Sequence, residues 1–145
     1  MKTIKFITVL AISLTLTSCN SQTKNKDNSL DQSISKIEVL DFHSTHRCIT
    51  CNAIEANTKY TLETYFAKEL KEGRITFQVV NVDEKENDKI AEKFEASGTS
   101  LFLNVIKNGK ETQINLTDFA FMNGKDQETF SKELKTKINT ELKML

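Results

Sequence analysis

The chain has 145 residues, 38% hydrophobic and 28% charged, with 20 basic against 20 acidic side chains, three cysteines, four glycines and no proline. That length holds one domain with appendages and excludes most multi-domain enzymes. Zero net charge excludes a chain that grips nucleic acid by neutralising phosphates, and three cysteines are too few for a disulfide-built scaffold.

Met1 to Cys19 begins with Lys2 and Lys5, runs through an apolar stretch from Phe6 to Leu16, and ends Leu16-Thr17-Ser18-Cys19. A charged start, a short apolar run and small residues before a break form a secretory signal, too short to span a bilayer comfortably. Its end resembles the lipobox of bacterial lipoproteins, which implies a signal peptide over residues 1–18 and a lipidated Cys19 as new N-terminus. Without Lys2 and Lys5 the chain keeps 18 basic and 20 acidic residues, so attachment to a membrane would come from acyl chains and not from a basic patch. Residues 19–35 carry few large apolar groups and no periodicity, the composition of a flexible tether. The implied location is the bacterial cell envelope, facing the periplasm, where cytosolic reductants do not keep thiols reduced.

The domain expected over residues 36–145 alternates strands and helices. Ile37 to Phe42 alternates apolar and polar residues as a strand does. Ile54, Thr58, Leu62, Tyr65, Phe66 and Leu70 share one face of a helix expected from Ile49 to Glu72, stopped at Gly73. Arg74 to Val82 is a β-branched strand, and Asn87 or Asp88 caps a short helix through Ile90, Ala91 and Phe94 that ends near Gly98. Leu101 to Ile106 is nearly continuous apolar sequence, the mark of a strand covered on both faces. Asn108-Gly109 favours a tight hairpin turn, and Thr112 to Leu116 returns from it. Phe130, Leu134, Ile138 and Leu142 line the core side of a last helix. The sum is an α/β domain with four strands in one sheet and helices on both faces.

Reactive side chains concentrate in the eleven residues from Asp41 to Cys51, which hold both histidines and both cysteines outside the lipobox. Cys48-Ile49-Thr50-Cys51 stands where a strand gives way to a long helix, and positions three apart on a helix come close enough for a disulfide to open and close. A cysteine at a helix N-terminus faces unpaired N–H groups that favour its thiolate. Arg47 adds a fixed positive charge beside it, and His46 adds another when protonated. Cys48 is therefore the expected nucleophile and Cys51 the resolving thiol.

With Val80-Asn81-Val82-Asp83-Glu84, Gly98-Thr99-Ser100-Leu101-Phe102-Leu103 and Lys107-Asn108-Gly109-Lys110, this pair resembles the thioredoxin superfamily over residues 36–145. The loop His43 to Cys51 further resembles the small exported group named as the ArsF-type subunit of nitrophenyl-compound nitroreductase. The superfamily resemblance implies a thioredoxin-like fold with a four-stranded mixed sheet and a membrane-tethered thiol–disulfide oxidoreductase. It also implies a protein thiol or disulfide as partner and no cofactor beyond the redox-active cysteines. Two features depart from it. Ile49-Thr50 stand where Gly-Pro or Pro-His is usual, and Arg47 replaces a tryptophan. Ser100 after Thr99 occupies the place of the family's cis-proline, and since a non-proline cis bond costs about 3–4 kcal/mol, the bond there is expected to be trans, or else a strained cis one retained for function. Asp41 matches the family's buried acid behind the second cysteine, or else is a strand-end carboxylate facing water.

Two other uses of these residues compete. His43, His46, Cys48 and Cys51 are four imidazole or thiolate ligands of the kind that hold zinc or copper. Phe119-Ala120-Phe121-Met122-Asn123-Gly124, between the last strand and the last helix and placed near the cysteines by the expected fold, is either core or an apolar patch that docks a partner or an unfolded thiol substrate, the latter making the chain a non-catalytic accessory subunit. The run Asp83 to Asp88 is expected to be a solvated helix entry.

Overall fold

The computed structural model describes residues 35–145; the expected signal segment, the Cys19 lipidation site and the tether up to residue 34 lie outside the described residues. Strand β1 (Lys36–His43) leads through helices α1 (Ile49–Tyr65) and α2 (Ala67–Lys71) to β2 (Ile75–Asn81). A turn of 3-10 helix (Lys85–Asn87) and α3 (Asp88–Lys93) then precede the hairpin β3 (Ser100–Lys107) and β4 (Lys110–Asn115). Helices α4 (Thr117–Asn123) and α5 (Gln127–Leu142) complete the chain. The sheet order is β2-β1-β3-β4, with β1 and β2 parallel and the other two pairs antiparallel. A parallel pair needs a long crossover, which α1 and α2 supply. With helices on both faces, this is the α/β, thioredoxin-like fold with a four-stranded mixed sheet.

The two-residue period of β1 separates two cores. Ile37 and Val39 join Leu101, Leu103 and Val105 of β3 beneath α1, α4 and α5, whose Ile54, Leu62, Ala120, Phe130, Leu134 and Ile138 are buried against them. Leu40 and Phe42 point the other way and pack with Val80, Phe94 and Phe102. There the rings of Phe42, Phe94 and Phe102 lie 5.3 to 5.8 Å apart, two of the three pairs meeting edge to face. Asp41 continues the Ile37–Val39 row, so register alone carries its carboxyl under α1.

Three elements differ from expectation. The helix expected to run to Glu72 stops at Tyr65, because Phe66 leaves helical geometry (φ −131°, ψ 23°) and turns its ring into the core, after which α2 restarts. The third helix ends at Lys93, capped by Phe94 and followed by Glu95 with φ +52°, several residues short of Gly98. The segment Phe119–Gly124 is not a plain connection but lies mostly in α4. At the hairpin, Asn108 (φ 51°) and Gly109 (φ 74°) both take the left-handed conformation that an Asn-Gly turn requires. Asp126 caps α5, its side chain accepting the Thr129 amide at 3.0 Å.

Candidate active site

Cys48 is the N-cap of α1, with extended backbone (φ −79°, ψ 165°), and Cys51 lies in the first turn. The two are joined by a disulfide with their Cα atoms 5.0 Å apart. The Cys51 amide donates to Cys48 Sγ at 3.1 Å, so the sulfur takes the place that a Ser or Asp oxygen fills at an ordinary N-cap. Cys48 is exposed and Cys51 is only 7% exposed, which leaves one sulfur open to an incoming thiolate and shields the other.

The loop that delivers Cys48 is tied down from β2 and the turn after it. Val82 N donates to the His43 carbonyl at 2.8 Å, and the Thr45 amide donates to Asp83 Oδ2 at 2.7 Å. Asn81 Nδ2 reaches Thr45 Oγ1 at 3.2 Å, and Asn87 Nδ2 closes on the Asn81 carbonyl at 2.9 Å. The two bonds from Thr45, backbone first, hold the Asp83 carboxyl below its ordinary range, with smaller help from His46 and His43. The charge run after β2 is thus solvated as expected, yet its first member is an anchor for the cysteine loop.

Asp41 is completely buried, and neither carboxyl oxygen has a hydrogen-bond partner among the described residues. Burial pushes its pKa up from 3.8 to about 7; Arg47 opposes that rise and Glu55 adds to it. Arg47 Nη2 lies 3.9 Å from Asp41 Oδ2 and donates to the Cys51 carbonyl at 3.3 Å, while Nη1 pairs with Glu55 Oε2. The guanidinium therefore turns toward α1 and the buried acid, where the uncompensated carboxyl lies. Glu55 was not legible as a site residue, although its position one helical turn beyond Cys51 was the available signal.

The end of α4 closes over the same helix start. A Cβ on Gly124 would lie 3.2 Å from Thr50 Cγ2, 3.1 Å from Ile54 Cγ1 and 2.8 Å from the Ala120 carbonyl. Asn57 Nδ2 donates to the Gly124 carbonyl at 2.9 Å. Of the expected patch, Ala120 is core and Phe119 stacks on Phe130, whereas Phe121 and Met122 are exposed. Between the cysteines, Ile49 is also exposed.

Ser100 pairs with Phe42 at the end of β1, and a Cβ on the nearby Gly98 would stand 3.7 Å from Ser44 Oγ. Thr99 and Ser100 therefore begin β3 at the same end of the sheet as the cysteine loop, and every peptide bond among the described residues is trans, Thr99–Ser100 included. The two residues line a cleft of about 530 Å³ with Ser97, Asn115, Thr117 and Asp118, to which neither cysteine contributes. His43 Nδ1 bonds to the Ser44 carbonyl at 2.9 Å and His46 is exposed. Among the described residues no three His, Cys, Asp or Glu side chains stand together as a metal-holding group.

No family model and no curated protein sequence matches the chain. Among solved structures it is similar to the thioredoxin of Fasciola hepatica, at 23% identity over 70% of this chain and 84% of that one, with a TM-score of 0.40. A thioredoxin from Thermus thermophilus gives 22% identity over 70% of this chain and 72% of that one, TM-score 0.45. Oxidised mitochondrial thioredoxin 3 of Saccharomyces cerevisiae gives 21% over 63% and 78%, TM-score 0.41. The fold assignment itself stands on strand order and register.

Proposed function

We propose that this chain is a thiol–disulfide oxidoreductase, tethered to a bacterial envelope membrane through a lipidated Cys19, that exchanges electrons with protein thiols at Cys48 and Cys51. The observation that carries it is the asymmetry of the pair: an exposed sulfur capping a helix and a buried one a turn behind it. A substrate thiolate attacks Cys48 Sγ, the Cys48–Cys51 bond breaks, and Cys51 leaves as a thiolate that takes up a proton. A second substrate thiolate then attacks the mixed disulfide; the substrate departs oxidised, and Cys48 leaves as a thiolate facing the helix amides. Two electrons have passed to the chain, and the reverse sequence reduces a disulfide. Asp41 is the buried acid that exchanges the Cys51 proton, since its carboxyl changes charge near neutral pH and shares the Arg47 nitrogen with the Cys51 backbone. Arg47 acts through Asp41; His46 stands two residues before Cys48 in the same loop, and Thr99 and Ser100 begin β3 at the end of the sheet from which that loop leaves. The tether rests on the sequence of residues 1–35 alone.

The test is trapping with Cys51→Ser in cells, where a mixed disulfide at Cys48 has no resolving thiol. Covalent adducts that dissolve on reduction are expected, and none should form with Cys48→Ser. An empty trap together with a wild type inert in an insulin-reduction and a dithiol-oxidation assay would overturn the enzyme reading. For the tether, palmitate label on the wild type but not on Cys19→Ala is expected; equal labelling or none removes it.

A further inference from the structure

Two carboxylates beside the disulfide, buried Asp41 and partly exposed Glu55, share one cation. Arg47 gives its Nη1 to Glu55, holds Nη2 3.9 Å from Asp41 Oδ2, and uses that same Nη2 on the Cys51 carbonyl. The Asp41 contact is too long for a hydrogen bond, and the Asp41 side-chain oxygens have no hydrogen-bond partner among the described residues. Its strand neighbours are apolar, Val79 on β2 and Leu101 on β3; the charged groups acting on it are Arg47 in the loop and Glu55 on α1. The direct pairing with Glu55, whose side chain is 30% exposed against 19% for Arg47, holds the guanidinium short of Asp41.

We propose that Glu55 and Arg47 form a clamp that meters how much positive charge reaches Asp41, and so governs proton uptake at Cys51 when the Cys48–Cys51 bond opens. The proposal rests on the thiol–disulfide reading above for its use, and on the guanidinium geometry for its existence. When an external dithiol reduces the pair, two electrons enter, the sulfur–sulfur bond breaks, and the dithiol leaves as its own disulfide. Cys51 departs as a thiolate and takes the proton of Asp41, whose new negative charge Arg47 balances until solvent restores the proton. Arg47 and Glu55 are positioning residues in this scheme, because neither touches the reacting sulfurs.

Removing the two halves of the clamp moves Asp41 in opposite directions, and it moves the opening of the Cys48–Cys51 bond with them, which a purely structural ion pair does not. Arg47→Met takes away the cation beside Asp41 and raises the Asp41 titration midpoint. Glu55→Gln removes a like charge and frees the guanidinium to close on Asp41, lowering it. The measurement is the Asp41 carboxyl ¹³C shift against pH in the oxidised full chain, assigned by its loss in Asp41→Asn. Beside it runs the pH profile for opening of the chain's own disulfide by dithiothreitol. Opposite displacements, each about tenfold in proton affinity, with the opening profiles moving in step and Arg47→Lys returning toward wild type, are expected. Displacements of one sign, or none, overturn the clamp, and Glu55→Gln, which keeps the side-chain shape, decides alone if Arg47→Met does not fold. An empty Cys51→Ser trap and a wild type inert in both exchange assays, with opposed midpoints, would instead sink the oxidoreductase function and leave the clamp standing.

Discussion

Asp41 and Cys51 meet at a single nitrogen: Nη2 of Arg47 lies 3.9 Å from the Asp41 carboxylate and donates to the Cys51 carbonyl at 3.3 Å. The strand that carries the acid and the helix that carries the buried cysteine are thereby joined through a residue of the loop between them. A change of charge on Asp41 therefore acts, through that guanidinium, where the helix of the disulfide begins.

Asp41 should make the fold lose stability as pH rises. Its carboxyl titrates at about 7 when folded against 3.8 for the ordinary group, so between those values the folded chain binds more protons than the unfolded one. The cost is absent below about pH 4, grows up to about pH 7 and is constant above, reaching roughly 4 kcal/mol for a shift of about three units. Urea unfolding of the oxidised chain at several pH values should show this slope in the wild type and lack it in Asp41→Asn. The same slope in both would assign it to other groups.

Gly124→Ala should destabilise the chain by about 1–3 kcal/mol through overpacking. Its φ of −57° suits any residue, so the cost comes only from the atoms a Cβ would meet: the Ala120 carbonyl at 2.8 Å, Ile54 and Thr50. Because Thr50 stands between the cysteines, opening of the disulfide by dithiothreitol should also change in rate. A variant as stable as wild type would mean that α4 does not seat against α1 in this way.

Two phenylalanines of similar sequence prospects should behave differently. Phe94 is buried against Phe42 and Phe102, so Phe94→Ala should cost about 3–5 kcal/mol. Phe121 is 44% exposed on α4, and Phe121→Ala should stay within about 0.5 kcal/mol. Chemical denaturation of both variants measures the contrast, and equal losses would place Phe121 in the core.

Asp83→Asn should loosen the cysteine loop without unfolding the domain. The variant replaces the carboxylate that accepts the Thr45 amide at 2.7 Å with a neutral group. Hydrogen exchange at the Thr45 amide should quicken roughly tenfold, as expected when a charge-assisted bond is weakened, while core amides of β1 and β3 keep their protection. Unchanged exchange at Thr45 would show that Asn81 and the backbone bond of His43 suffice to hold the loop.

Much of this was legible in local pattern. The alternation in β1, the apolar run of β3, the Asn-Gly turn and the four-residue repeat of α5 each reflect the period of one element, and each element formed where its period placed it. The break at Phe66 was not, because Phe66 and Leu70 continue the helical stripe in sequence and only the core's demand for the Phe66 ring ends the helix. Nor was α4, whose seven residues are too few for periodicity to register.

The same division holds at the site. Adjacent residues determined that Cys48 and Cys51 would form a pair at a helix start, since a C-x-x-C spacing and an N-cap are both properties of one turn of chain. Tertiary structure decided between the two sequence readings of Asp41, buried acid or solvent-facing carboxylate, and it alone brought in Glu55 and Asp83. Asp41 is buried because strand register puts it on the α1 face, Glu55 meets Arg47 because α1 packs over that face, and Asp83 reaches Thr45 because β2 pairs with β1. Charge effects depend on separation and burial in space, and residues 8 or 38 apart in the chain acquire both only when the sheet and its helices close.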